Sequence, residues 1–278
     1  MTDYLTHHFD KDDPDLISAI DELPLWSAPF GLRLLETIKL KKIMKVLDIG
    51  CGLGFPLIEL SQRLGKSSRV YGIDPWQKAI ERARLKAKVY NISNVEIVEG
   101  SAEKMPFDNC FFDLIVSNNG INNVDDMQQT LRECYRVGKS GAQMVFTLNL
   151  EDTMVEFYRV FEETLQEENL HSEIEKMKEQ IYSKRRPLEE IKSLVTTSGF
   201  SITNIIHDVF NIRFVDGTSM FNHYLIKYWF LPGWKDILIE EDMASIFDRV
   251  ESKLNKHAEL VGEISLAIPF VTIDCKRD

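Results

Sequence analysis

The chain has 278 residues, enough for one large domain or two small ones, and its 44% apolar content is that of a globular protein. Its 33 basic residues face 44 acidic ones, and a net charge of −11 argues against a nucleic-acid partner, whose phosphates need clustered Lys and Arg. No apolar run reaches the roughly 18 residues of a membrane span, and Cys51, Cys110, Cys134 and Cys275 form no C-x-x-C pair, so neither a zinc site nor a redox motif is expected.

Residues 1–42 form an expected helical arm ahead of the first strand. Met1 to Ile20 is acidic and polar, unlike a leader, which sets the expectation of a cytoplasmic protein with reduced thiols. His7 and His8 fall in this arm, where a surface role is the ordinary one. Asp13-Pro14 starts one helix and Ser27-Ala28-Pro29 a second, running to about Leu40. The apolar loop Leu23-Pro24-Leu25-Trp26 between them either covers a cleft or packs on a sheet edge. Lys39, Lys41, Lys42 and Lys45 are the densest early basic group, read as a solvated helix end.

From Met44 to Leu150 strands and helices alternate, the signature of a parallel sheet covered on both faces. Val46, Leu47 and Ile49 mark the first strand, Arg69 to Ile73 the second, Val95 to Val98 the third and Phe112 to Ser117 the fourth. Helices are expected over 55–64, 75–89 and 124–137, a turn at Gly138 to Gly141, and a fifth strand over Gln143 to Leu148. Beyond it, one apolar stripe runs from Met154 through Phe157, Phe161, Leu165, Ile174, Met177 and Ile181, predicting a single helical stretch over 151–184. Pro187 starts another helix, Ser201 to His207 is a sixth strand, and Glu263 to Asp274 a seventh. The segment 209–262 between them holds eight aromatics within 25 residues, against 10% for the whole chain. It either lines a pocket or glues the insertion to its surroundings.

The stretch Leu47-Asp48-Ile49-Gly50-Cys51-Gly52-Leu53-Gly54 is a buried strand followed by a glycine turn and a helix start. Alone it could be a tight turn without a ligand. Asp74 closes the second strand 20 positions after Gly54, where a carboxylate would hold a ribose hydroxyl pair. A dinucleotide and S-adenosylmethionine both fit that pattern. The third glycine comes one residue too early for G-x-G-x-x-G, and Asp48 would repel a pyrophosphate but suits a cationic ammonium.

This block resembles the nucleotide motif of class I S-adenosylmethionine-dependent methyltransferases, and the likeness extends from Val46 to about Ile206. Gly100-Ser101-Ala102-Glu103 resembles that family's Gly-Asp-Ala-Glu segment, with Ser101 in place of Asp. Ser117-Asn118 resembles the fourth-strand tip of its small-molecule members, the quinone-biosynthesis and arsenic methyltransferase-like group. The Asn-Pro-Pro-Tyr of amine methyltransferases is absent, and the cysteines show no thiolate cluster for arsenic.

The resemblance implies a seven-stranded, doubly wound, mostly parallel α/β sheet of Rossmann-like type. Its core would be 43–208 plus 263–278, with 151–186 and 209–262 as helical lid insertions. It implies S-adenosylmethionine as cofactor, with S-adenosylhomocysteine as product. The cofactor would be held by Asp48, Gly50, Cys51, Gly52, Gly54, Asp74, Pro75, Trp76, Ser101, Ala102, Glu103 and Asn118. Trp76 could equally be a core residue, and the adenine amine could fall to Ser101, to Glu103 or to a water. Candidate acceptor contacts are Trp26, Phe30, Asn119, Phe221 and Tyr224. Asn118 and His223 are the only catalytic candidates, because methyl transfer needs alignment more than a base. The expected reaction is in-line methyl transfer to a small molecule without a metal. A nicotinamide-dependent oxidoreductase and a non-catalytic cofactor-binding protein are the alternatives. A homodimer, if formed, would pair through the helical insertions.

Overall fold

The computed structural model describes residues 3–6, 10 and 12–278, so His7 and His8 lie outside the described residues. The chain divides into two compact units. One comprises Asp10–Asn149, Pro187–Asp208 and Phe270–Asp278; the other comprises Met1–Phe9, Leu150–Arg186 and Val209–Pro269. The expected arm is therefore split: its helices belong with the sheet, and residues 3–6 with the helical unit.

Seven strands form one sheet in the order β3-β2-β1-β4-β5-β7-β6. They are β1 (Lys45–Ile49), β2 (Arg69–Asp74), β3 (Val95–Glu99), β4 (Phe112–Asn118), β5 (Gly138–Asn149), β6 (Phe200–Phe214) and β7 (Ile264–Arg277). β1, β2, β3, β4 and β5 pair in parallel, and β7 runs antiparallel to β5. Val46 to Ile49 of β1 are all buried, as a central parallel strand covered on both faces must be. The order reverses direction between β1 and β4, which puts the switch point of the sheet at their C-terminal ends.

The sheet unit carries α1 (Pro14–Glu22), α2 (Ser27–Thr37), α3 (Leu57–Leu64), α4 (Gln77–Val89), α5 (Met127–Val137) and α8 (Leu188–Thr197). Asp13 caps α1 by accepting from Asp15 N–H, and Asp126 caps α5 by accepting from Gln129 N–H at 2.9 Å. Leu34, Leu35, Leu57, Leu60 and Ile80 pack with Val46, Val70, Leu114 and Val145 in one apolar core. Asp21 of α1 receives Arg82 at 2.7 Å and Lys86 at 2.6 Å, both from α4, tying the leading helix to the sheet's helical layer.

Three boundaries differ from the sequence expectation. The predicted turn at 138–141 is strand: Phe112 pairs with Gly138 and Leu114 with Gln143, a register irregularity that spans Gly141, whose φ is +75°. The predicted helix over 151–184 is two, α6 (Val155–Glu167) and α7 (His171–Lys184). Asn169 breaks them at φ +60°, with Leu170 N–H returning to Leu165 C=O at 2.9 Å. β6 continues past His207 to Phe214 as a sheet-edge strand whose residues alternate between exposed and half-buried.

The helical unit adds α9 (Gly217–Asn222), a π-helical turn over Ile226–Phe230, α10 (Leu231–Lys235) and α11 (Glu240–Val261). Its core is aromatic. Phe157 stacks on Trp234 with ring centroids 3.7 Å apart, and Phe221 stacks on Tyr4 at 4.7 Å. Phe161 and Phe247 close the cluster, and Trp234 Nε1 donates to Tyr158 Oη at 3.1 Å.

Candidate functional site

The glycine turn is stitched to the end of β2. Gly50 N–H and Cys51 N–H both donate to Ile73 C=O, at 2.9 and 3.3 Å, and Gly52 N–H donates to Asp74 Oδ2 at 2.8 Å. Gly50, Gly52 and Gly54 all have positive φ, so this path needs residues without a β-carbon. Three of the turn's amides are therefore spent on β2 and Asp74, and Gly54 N–H turns back to Cys51 C=O at 2.8 Å. What the turn presents is bare backbone beside a carboxylate.

Asp74 Oδ1 accepts Trp76 N–H at 2.8 Å, so each carboxylate oxygen takes one backbone donor. An ionised carboxylate has about four acceptor positions, which leaves one on each oxygen for a hydroxyl pair. Burial raises the Asp74 pKa, and the Trp76 and Gly52 amides hold part of that rise back. Asp74 lies on the wall of a cavity of about 290 Å³. Gly50, Pro75, Ser101, Ala102 and Glu103 also line it, together with Ile49, Ile73, Gly100, Gly120, Asn123, Val124 and Asp125.

Several expected cofactor residues sit behind this wall. Asp48 is fully buried, is not part of the lining, and neither carboxylate oxygen has a hydrogen-bond partner. Burial pushes its pKa well above the usual carboxylate range, the Asp74 charge adds to the rise, and the Leu57 N–H at the start of α3 eases it. Cys51 belongs to the apolar core, with Sγ so close to Gly72 that a β-carbon there would meet it at 2.7 Å. Gly54 lets α3 approach α4: a β-carbon on it would stand 3.1 Å from Ala83. Trp76 is half-buried outside the cavity lining, with Nε1 buried and unpartnered.

Ser101 and Glu103 are tied to each other by a side-chain hydrogen bond. Glu103 Oε1 also accepts from Asp125 N–H at 2.9 Å and Asp126 N–H at 3.3 Å. Burial works against the charge on Glu103, but these hydrogen bonds win and hold its pKa down. The carboxylate thus fastens the β3 loop to the loop before α5, and the cavity runs between the two.

At the tip of β4 an asparagine network occupies the place expected for Asn118 and Asn119. Asn118 donates to Ser27 C=O at 3.0 Å and accepts from Thr147 at 3.2 Å. Asn119, at φ +59°, accepts from Asn122 at 2.8 Å, and Asn122 also reaches Asn149 at 2.6 Å. Gly120 then meets the glycine turn: a β-carbon on Gly120 would stand 2.6 Å from Ile49 C=O, and one on Gly50 2.9 Å from Gly120 Cα. The sequence reading gave Gly120, Asn122 and Asn149 no role. The run Asn118 to Asn123, four asparagines in six residues, was the available signal.

The other candidates are apart from the cavity lining. Phe30 is fully buried between Trp26 and Phe270, with centroids 5.3 and 4.7 Å away. Phe221 is fully buried in the aromatic core of the helical unit, so the structure commits it to packing. His223 packs on Phe214 and on Tyr224, its Nδ1 accepts Leu225 N–H at 3.3 Å, and burial lowers its pKa. No group of three or more His, Cys, Asp or Glu side chains with metal-ligand proximity occurs among the described residues. No helix among them is long and apolar enough to cross a membrane.

Residues 40–208 match the family model of a methyltransferase domain. Over 112 residues the chain is 37% identical to the demethylmenaquinone methyltransferase of Listeria welshimeri, covering 39% of this chain and 48% of that protein. Over 127 residues it is 30% identical to the demethylmenaquinone methyltransferase of a Geobacillus species, covering 46% and 54%. The chain thus spans about half the length of the curated relatives it matches. The YcgJ protein of Bacillus subtilis superposes with a TM-score of 0.60 at 16% identity, over 90% of this chain and 98% of that one. An S-adenosylmethionine-dependent methyltransferase from Aquifex aeolicus gives 0.51 at 22%, over 70% and 92%. At such identities the likeness is one of fold.

Proposed function

Because the chain belongs to the methyltransferase domain family, with S-adenosylmethionine as its cofactor, we propose that it methylates a small-molecule acceptor by in-line displacement. The observation that carries the reading is Asp74, buried at the cavity wall with one acceptor position left on each oxygen.

In this reading Asp74 binds the two ribose hydroxyls. Ile73 and Ala102 offer apolar surface to the adenine, and the loop of Ser101 to Glu103 borders its edge. The bare backbone of Gly50 and Gly120 leaves room for the methionine end. Bound S-adenosylmethionine supplies an electrophilic methyl on a sulfonium that departs as a neutral thioether. Asp74 places negative charge near that cation, and a bound cation favours the ionised form of Asp48 behind it. The neutral amides of Asn118 and Asn119, both tied by hydrogen bonds, fix the β4 tip beside Gly120 without supplying a base. Alignment and exclusion of water then supply the rate enhancement.

The acceptor is proposed to be small, and the name of the curated relatives makes demethylmenaquinone the first compound to assay. Calorimetry should give saturable binding of S-adenosylhomocysteine and none of NAD. Asp74→Ala should weaken that binding by about 1–3 kcal/mol, because the ribose hydroxyls lose their acceptor. Labelled methyl transfer to a small-molecule panel tests the activity. Binding without transfer to any acceptor would favour a non-catalytic role, and unchanged affinity in Asp74→Ala would remove the ribose assignment.

A further inference from the structure

A second cavity, of about 260 Å³, opens at the other end of the sheet. Lys39 and Lys41, which precede β1, meet Lys276 at the end of β7 around it, although 235 positions separate Lys41 from Lys276. Asp113 at the start of β4 and Gln143 near the start of β5 also line it. These are the N-terminal ends of the parallel strands, whereas Gly50 and Gly120 follow their C-terminal ends. The five residues of β1 lie between, about 16 Å at 3.3 Å per residue.

The polar groups of this cavity sort into satisfied and unsatisfied. Asp113 is neutralised: Lys139 Nζ lies 2.6 Å from Oδ1, and Lys45 N–H donates to Oδ2 at 2.8 Å. The Lys45 ammonium sits over the Phe111 ring at 3.7 Å. Gln143 is held at both ends, accepting Lys39 N–H at 2.9 Å and donating to Asp274 Oδ1 at 2.9 Å. Among the described residues, the ammonium groups of Lys39, Lys41 and Lys276 make no ion pair and no hydrogen bond. Three cationic groups therefore face one remaining carboxylate, Asp274, in a chain whose overall charge is −11. Like charges gathered around a concavity repel each other and concentrate anions there.

We propose that this cavity binds a phosphate-bearing ligand, held by Lys39, Lys41 and Lys276. Two sources carry that chemistry: a free phosphate compound and the headgroup of a lipid surface. The site is separate from the cofactor cavity and does not depend on the activity assigned there.

The test uses the full chain and two probes. Pyrophosphate is titrated by calorimetry, and co-sedimentation is measured with phosphatidylcholine vesicles with and without phosphatidic acid. The double variant Lys41→Gln, Lys276→Gln is compared with Lys66→Gln, an exposed lysine outside the cavity. Saturable pyrophosphate binding is expected, weakened at least tenfold in the double variant, unchanged in Lys66→Gln, and falling as salt is added. Pyrophosphate binding without vesicle retention identifies a free phosphate compound. Retention on phosphatidic acid vesicles that the double variant loses identifies a headgroup. No saturable binding of either probe overturns the proposal, as does equal weakening in Lys66→Gln. Affinity for S-adenosylhomocysteine should stay at its wild-type value in the double variant, and a parallel loss of it would overturn the separateness of the two sites.

Discussion

Asp48 is the residue whose chemistry is least comfortable in this molecule. It is enclosed beneath the glycine turn with both oxygens unpartnered, and its pKa is pushed well above the ordinary range by burial first and by Asp74 second. The sign of its effect on stability follows. A carboxyl whose pKa rises on folding binds its proton more tightly in the folded state. Its contribution is then fully present below the unfolded value of about 3.9 and is lost as pH rises through the folded value. Asn in its place keeps the shape and removes the ionisation. Asp48→Asn should therefore raise the melting temperature of the ligand-free protein at pH 8, by ~1 kcal/mol or more in stability, with the advantage shrinking towards pH 4. The same variant should lose affinity for S-adenosylmethionine severalfold, and lose less for the product, whose sulfur is neutral and which keeps the ammonium as its one cation. Thermal melts across pH, paired with calorimetry on both ligands, measure this. A variant that melts lower than wild type at pH 8 would show that Asp48 is a structural anchor.

At the scale of elements, the site is made where the end of β1 meets the end of β4, Gly50 lying against Gly120 and Ser117 Oγ donating to Ile49 C=O at 2.9 Å. The β-carbon of an alanine at position 120 would have to stand 2.6 Å from Ile49 C=O and 2.8 Å from Ser117 Oγ. The first of these contacts is backbone and cannot rotate away. Gly120→Ala should cost about 1–3 kcal/mol as an overpacked substitution. It should also weaken S-adenosylhomocysteine binding, because the two loops that border the cavity must separate. Wild-type affinity together with a wild-type melting curve would mean that the loops yield freely. This junction marks the limit of what the sequence reveals. The strand, the glycine turn and Asp74 were legible because their signals are local and closely spaced. Gly120 was not, since its partner Gly50 lies 70 positions away. The α6–α7 break was hidden for a different reason: Phe157, Phe161, Leu165, Ile174 and Met177 are all buried, so the apolar stripe runs on across Asn169. Likewise, Gly138 and Gly141 read as a turn because the pairing with β4 that draws this segment into β5 is non-local.

For the whole molecule, the second compact unit raises the question of what its aromatics do. Sequence density alone left two roles open, pocket lining and core. The structure distinguishes residues within the segment. Phe221 and Trp234 have no exposed surface, whereas Trp229 is 47% exposed. Phe221 meets Tyr4, Phe157, Trp234 and Phe247, drawing residues from both ends of the chain and from its middle into one cluster. Removing such a side chain forfeits its transfer free energy and leaves a cavity that aromatic neighbours cannot readily fill. Phe221→Ala and Trp234→Ala should each lose roughly 3–5 kcal/mol from the helical unit. Trp229→Ala should stay within about 0.5 kcal/mol of wild type, as surface substitutions do. With two compact units, unfolding need not be two-state. The loss should therefore be followed by near-ultraviolet circular dichroism in the tryptophan region, to which Trp234 of the cluster contributes beside Trp26 and Trp76 of the sheet unit, alongside S-adenosylhomocysteine binding, which reports the sheet unit. Loss of the aromatic signal in Phe221→Ala at a temperature where cofactor affinity persists is the expected result. A Phe221→Ala protein that melts with wild type would remove the cluster from the stability of the unit and return Phe221 to the list of acceptor contacts.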